Sequence, residues 1–425
     1  MSNTHQTEHL LVIRLNNHLA IETAFGADAG AEVMDHMRRC AERHLGRIDL
    51  RRVDRDEIEL LARYPLMQCM PVEALVDTLC SALGAEPLRY KDQDILLSVS
   101  AGHAFAGGPA GRAQQNEARL RLAASYLPGG QISGRSQEGA ALYRKDMAEA
   151  AALLKAVRRG ATFITWRPVS RPDDKGAILY YEAVLRRVGA TGEQIDCADA
   201  YAALERLGLA HLLDRLLLCD VLRELASDPA ACLSVPISAQ SLSLNLHGEG
   251  AGWTDLMDRL KRDPRLARRL VIEISDNSGM PCFRDALAFV RALRSLGVRI
   301  SVARFGSGHA SIGQLMALSP DVVKLDSPFM HTAYESERNR LRVGHLLGLA
   351  RTMSPTVIVD GVESPWHLHL AAEEGAEWVA GSHLGRPSLR RGWLNADYGD
   401  SVASLAAFNS ALHQPQSGGA HSFSR

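Results

Sequence analysis

Four ionisable side chains each stand at the end of a short apolar run: Glu182 after ILYY, Glu273 after LVI, Lys324 after VV and Asp360 after TVIV. Pro236, Ala303 with Arg304, Asp326, Glu363 and Ala380 hold the matching places in this and the remaining runs. Taken singly, each polar residue is an ordinary helix N-cap or a solvated loop residue. Taken together, four runs that deliver ionisable groups to one level make a candidate centre for binding or catalysis. His309, His367, His369 and His383 lie near the same ends, but with 16 histidines in the chain surface placement is the simpler account. Cys282 has no base beside it in sequence to activate a thiol. Ser307 lies in a GSG loop rather than on a nucleophile elbow.

The elements that must position these groups repeat. FITWRPV, AILYYEAVL, CLSVPIS, LVIEIS, VRISVA, DVVKLD, TVIVD and EWVAGS read as strands, with amphipathic helical patterns between most of them. Alternation on this scale predicts an α/β fold with a C-terminal (β/α)₈ TIM-type barrel over residues 158–395, whose chemistry sits at the C-terminal ends of the strands. Ahead of it, residues 9–15 read as a strand and the stretch to about 43 as helical. Residues 47–52 and 56–62 read as a hairpin around VDRDE, 71–84 as a helix opened by Pro71, and 94–102 as a strand. That order predicts a smaller α+β domain with a central antiparallel sheet over residues 1–108. Residues 109–157 read as a linker followed by a connecting helix, and 396–425 as a disordered tail.

Composition narrows the class. The chain has 425 residues, 46% hydrophobic and 23% charged, with a formal net charge of -1. A near-neutral sum gives no basis for bulk attraction to nucleic acid or to an anionic membrane. Six of the 48 basic residues are lysine and the rest arginine. Seven scattered cysteines without a CxxC pair predict free thiols in a reducing cytosol. MSNTHQTEHL carries no signal-peptide pattern, and no apolar run approaches the roughly 20 residues of a membrane span. The expectation is a cytoplasmic protein without membrane insertion.

The series resembles the EAL family, bacterial phosphodiesterases that hydrolyse cyclic di-GMP with two divalent metals. The motif reads Glu182–Ala183–Val184, followed by Leu185 and Arg186. VIEIS (271–275), FGSG (305–308), Lys324–Leu325–Asp326 with Phe329, Gly361–Val362–Glu363 and Gly385–Arg386–Pro387 follow in family order. The resemblance implies that Arg186 contacts a phosphate. Arg304 is positioned to add a second contact, and Phe305, Glu182, Asp326, Glu363 and Arg386 hold matching positions.

The departures are as informative as the matches. Where the family carries a metal-binding Asn and two Asp residues, this chain has Pro236, Ala303 and Arg304; Asp360 is a shortened Glu, and Ala380 and Ser382 replace Gln and Tyr. Ala303 offers no ligand and Arg304 offers donors only. No catalytic residue is therefore expected beyond the remnants Glu182, Glu273, Lys324 and Asp360. No cofactor is expected, Mg²⁺ and Mn²⁺ least of all. One expectation places the Arg304 guanidinium in the metal's position, paired with Glu182, Glu273 or Asp360; the other turns it to solvent.

Residues 9–106 resemble an eroded GGDEF domain, the diguanylate cyclase fold that often precedes an EAL domain. Arg14 replaces its metal-binding Asp, Glu22–Thr23 its Asn-Asp pair, and Asp54–Arg55 the two glycines of its signature turn, leaving Asp56 and Glu57 as solvated turn residues. The combined expectation is a non-enzymatic GGDEF–EAL regulatory protein: a cyclic di-GMP receptor, a module for an unknown protein partner, or both. A homodimer through helices around residues 306–345 is the family-level expectation. The alternative is a residual metal-dependent phosphodiesterase.

Overall fold

A computed structural model describes residues 6–45, 48–65, 72–106, 112–124, 137–189, 191–243, 253–275 and 279–391. The N-terminal unit runs β1 (Gln6–Leu15), α1 (His18–Phe25), α2 (Ala27–Leu45), β2 (Ile48–Val53), β3 (Glu57–Pro65), α3 (Val72–Ala85), β4 (Leu88–Tyr90), β5 (Gln93–Ile95), β6 (Val99–Phe105) and α4 (Arg112–Ala124). Its main sheet is ordered β2-β3-β1-β6, and every pairing is antiparallel. The helical stretch expected to run to about residue 43 divides at Gly26, whose φ of 99° suits a residue without a Cβ.

β1 is apolar on both faces because both faces are covered. Leu11, Ile13 and Leu15 point into the large core, whereas Leu10 and Val12 join Leu61, Ala104, Ala118 and Leu122 in a second cluster. Ala118 and Leu122 belong to α4, so residues 112–124 are not the linker that their composition predicts. A Cβ at Gly102 would sit 1.9 Å from the Ala118 carbonyl oxygen, so only glycine lets α4 approach β6 this closely. The expected tail lies outside the described residues.

The helix α5 (Gln137–Arg158) ties this unit to the next. Asn17 donates from Nδ2 to the Leu96 carbonyl and to the Tyr143 hydroxyl, both at 3.0 Å, and accepts from the Ser98 amide. Further along α5, Asp146 receives a two-pronged bond from Arg206 at 2.6 and 2.8 Å. Burial of α5 side chains Met147, Ala150, Leu153 and Leu154 makes one continuous apolar core across both units.

The second unit comprises β7 (Thr162–Ser170), β8 (Ile178–Val188), β9 (Gln194–Asp196), α6 (Ala198–Arg206), α7 (His211–Ser227), β10 (Leu233–Ser238), α8 (Ala239–Ser243), α9 (Thr254–Arg262), α10 (Pro264–Arg269) and β11 (Leu270–Ser275). It continues with α11 (Phe283–Ser295), β12 (Arg299–Phe305), α12 (Ile312–Leu318), β13 (Val322–Leu325), α13 (Ser327–His331), α14 (Glu337–Arg351), β14 (Thr356–Val359), α15 (Pro365–Glu373) and β15 (Trp378–Ala380). β7, β8 and β10 to β15 close into an eight-stranded barrel, with β8 pairing β10 across the seam. β7 is antiparallel to both β15 and β8, whereas the other barrel pairings are parallel. The uniform βα repeat read from the sequence therefore fails at its first strand.

Pro236 is tolerated inside β10 because the β8 pairing ends at Ser234, two residues earlier. After β15 the chain returns along β7 through a Trp166–Ser388 bridge. Buried Arg391 anchors that return to Glu224 and Asp228 of the α7 end, with its guanidinium 5.0 Å from the Trp166 ring centre. No helix among the described residues is long and apolar enough to cross a membrane.

Candidate functional site

The barrel mouth holds a cavity of about 470 Å³, within the range for small-molecule sites. Leu185, Leu217, Pro236 and Ala303 give it apolar walls, while Arg167, Arg186 and Arg304 bring three guanidinium groups. Its floor is an ionic cluster around the buried Lys324, whose Nζ lies 2.5 Å from Glu182 Oε1, 3.1 Å from Glu273 Oε2 and 3.5 Å from Asp360 Oδ2. The four strand-end groups picked out from the sequence therefore do converge.

A fifth member was not expected. Arg167 Nε donates to Glu182 Oε2 at 2.6 Å and its Nη2 to Asp360 Oδ2 at 3.1 Å. Arg167 and Glu182 are direct partners in the β7–β8 register, so the backbone fixes this approach. Searching only the C-terminal ends of strands misses it, because β7 runs against its neighbours. The available signal was a single Arg inside FITWRPV, since an arginine in a buried strand needs an anionic partner.

The cluster sets its own protonation states. For Lys324 burial favours the neutral amine, but Glu182, Glu273 and Asp360 together hold its pKa well above the ordinary value. Burial raises Glu273, and Lys324 opposes that rise only in part. Burial likewise works against the Asp360 carboxylate, yet the charges of Arg167 and Lys324 hold it down to about 2. Behind the wall, Tyr201 and Ser241 hydroxyls and the Ser238 amide donate to Asp214, and burial still lifts this carboxyl to about 6.

Several expected site residues sit elsewhere. Arg304 does not enter the ionic cluster: its Nε lies 3.3 Å from Asp326, and its side chain is 40% exposed. Its backbone is left-handed, with φ 60°, where the β12–β13 register slips between Val302 and Phe305. Those dihedrals turn the side chain away from the floor. Phe305 is 6% exposed and packed in the core rather than lining the cavity. Arg386 is exposed and is also not a lining residue. Asp326 lines the mouth and caps α13, and Glu363 pairs with His331 at 3.3 Å. Arg186 lines the cavity with its Nη2 3.2 Å from Asp196, while its buried Nε has no hydrogen-bond partner.

As a donor set these residues do not fit the two divalent cations that the family resemblance implies. Pro236, Ala303 and Arg304 contribute no carboxylate, and each remaining carboxylate of the floor already accepts from Lys324 or Arg167. Among the described residues no three His, Cys, Asp or Glu side chains are placed to hold a metal ion.

In the N-terminal unit the expected solvated turn is also different. Glu57 is buried, paired with Arg14 and, at 3.3 Å, with Arg119 of α4, while Arg55 pairs with Glu22.

The EAL domain profile matches residues 150–387, more than half of the sequence, and the chain belongs to the EAL domain family. An uncharacterized signaling protein of Caulobacter vibrioides is 29% identical over 238 residues, covering 56% of this chain and 29% of its own length. The cyclic di-GMP phosphodiesterase PdeB of Shewanella oneidensis is 23% identical over 352 residues, 77% of this chain and 40% of its own. The chain thus spans less than half the length of either relative. Among solved structures, the apo S helix-GGDEF-EAL structure of Vibrio cholerae LapD covers 89% of both chains at 16% identity and a TM-score of 0.48. The FimX EAL domain from Pseudomonas aeruginosa bound to c-di-GMP covers 56% of this chain and 96% of its own, at 24% identity and a TM-score of 0.45.

One expectation is overturned here. Relatives from Shewanella oneidensis, Pseudomonas aeruginosa, Escherichia coli and Vibrio parahaemolyticus are named cyclic di-GMP phosphodiesterases. These names belong to the relatives, and they overturn the expectation that this chain is not an enzyme.

Proposed function

We propose that this chain binds cyclic di-GMP in the cavity at the barrel mouth and serves as a receptor in cyclic di-GMP signalling, relaying occupancy to a protein partner. The observation that carries the reading is the set of three guanidinium groups, Arg167, Arg186 and Arg304, that line one cavity. A phosphate oxygen is the acceptor that planar guanidinium geometry suits best. Leu185, Leu217 and Pro236 offer apolar surface for flat bases beside them. Membership of the EAL family and the names of the relatives support the choice of ligand.

Calorimetry tests it. Wild-type protein releases or absorbs heat on titration with cyclic di-GMP, and Arg186→Ala binds about tenfold or more weakly, as expected for a lost charge-assisted bond. No heat from wild type at high micromolar ligand overturns the reading and favours a protein-interaction module that has lost the ligand.

A second reading is hydrolysis of cyclic di-GMP, favoured by the convergence of Glu182, Glu273 and Asp360 on Lys324. Chromatography of the products after incubation with and without Mn²⁺ decides it. Linear dinucleotide formed by wild type and not by Glu182→Gln supports this reading.

For the N-terminal unit we propose a GGDEF-like origin, supported by its antiparallel sheet and the Val53–Glu57 hairpin. Exposed Ile312, Met316, Tyr334 and Leu341 support a homodimer through helices within residues 306–345, which light scattering checks.

A further inference from the structure

We infer that Arg167 takes the place of a divalent cation among the carboxylates of the barrel mouth, so that this site accepts a phosphate-bearing ligand without a metal ion. The inference deepens the proposed receptor function and rests on it for the ligand alone; the exclusion of the metal stands on the protein's own side chains.

Three carboxylates, Glu182, Glu273 and Asp360, face Lys324, which belongs to the motif shared with the two-metal family, and one further cation, Arg167. Glu182 is held from both sides, by Lys324 and by Arg167. Glu273 takes both its bonds, at 3.1 and 3.3 Å, from Lys324. Asp360 accepts from Arg167 and from the Gly361 amide, with Lys324 at 3.5 Å. A magnesium ion needs about six oxygens near 2.0–2.1 Å in octahedral array. To gather even these three, it would have to displace from Glu182 and Asp360 a guanidinium that cannot lose its charge.

Expulsion is also opposed by the backbone. Arg167 projects from a strand interior, directly opposite Glu182 in register. Breaking a buried ion pair leaves uncompensated charge. The next carboxylate outward, Asp326, is engaged by Arg304 and Ser307 and by the Ser327 amide. Meanwhile Arg167 faces the cavity with five N–H donors, and its carboxylate bonds use only its Nε and Nη2 groups. The same guanidinium can therefore hold the floor together and offer a donor upward to an anionic phosphate, the role a bridging metal would otherwise fill.

The test uses the full chain and first the metal alone. Electron paramagnetic resonance follows free Mn²⁺ on addition to the nucleotide-free protein. Wild type is expected to leave the free-ion signal unchanged, whereas Arg167→Gln, which uncovers Glu182 and Asp360, removes part of it. Uptake of Mn²⁺ by wild type overturns the inference whether or not any nucleotide binds. A folded Arg167→Gln that takes up no more than wild type overturns the role of Arg167. Calorimetry with cyclic di-GMP in EDTA and in Mg²⁺ buffer then needs no variant. Wild-type affinities agreeing within about twofold support metal-independent binding, and a gain above about tenfold with Mg²⁺ overturns it. Absence of heat in both buffers, together with an unchanged Mn²⁺ signal, overturns the receptor reading while leaving the metal-excluding floor in place.

Discussion

Arg167 and Glu182 face each other across an antiparallel strand pair, with Nε 2.6 Å from Oε2, beneath a cavity whose other strands run parallel. This pairing turns an acidic barrel mouth into a nearly charge-balanced one. It binds the first strand to the second by side chains as well as by the backbone ladder, and it links both to Asp360 at the end of β14, two strands from β7.

Lys324→Met should be severely destabilising, because it leaves three carboxylates together in a poorly solvated place. Breaking a buried ion pair costs about 3–5 kcal/mol. The expected result is a lower denaturant midpoint for Lys324→Met. The double variant Lys324→Met with Glu182→Gln should recover part of the loss, since the pair is coupled. Additive losses would show that the cluster is not a unit.

Acid and neutral pH should act on two carboxyls with opposite signs. Asp360 is held down to about 2, so its contribution is present above its ordinary value and is lost as pH falls through the folded one. Asp214 is lifted to about 6, so the folded state favours its protonated form and stability falls as pH rises from about 4 to 6. A shift of that size corresponds to about 3 kcal/mol. Unfolding curves across pH 2–7 should show a flatter 4–6 limb for Asp214→Asn and a flatter acid limb for Asp360→Asn, each relative to wild type.

Arg304 occupies left-handed backbone at φ 60°. Arg304→Gly and Arg304→Ala both remove the Asp326 partner, but only glycine sits there without steric cost. Arg304→Gly should exceed Arg304→Ala in stability by about 1 kcal/mol. Equal midpoints in chemical unfolding would contradict the left-handed assignment.

Gly102→Ala should displace α4 from the sheet, because the new methyl would meet the Ala118 carbonyl at 1.9 Å and the Leu122 amide at 2.3 Å. The expected readout is loss of hydrogen-exchange protection over residues 112–124, with the barrel amides unchanged. Protection retained in α4 would mean that the helix does not rest on Gly102.

The sequence by itself determined the barrel and the convergence of Glu182, Glu273, Lys324 and Asp360. Strand periodicity and motif order are local properties, and a parallel barrel brings its strand ends to one level. Three things were decided only by tertiary structure. The reversed direction of β7 brings Arg167 to Glu182, a contact between residues whose register depends on which way the first strand enters the barrel. The left-handed backbone at Arg304 sends that guanidinium to Asp326 rather than to the floor. The packing of α4 on β6 makes a helix of a segment whose polar composition reads as a linker, because Ala118 and Leu122 find a partner surface distant in sequence. In each case the deciding term is non-local: a strand direction, a dihedral imposed by a register slip, and burial against a remote face.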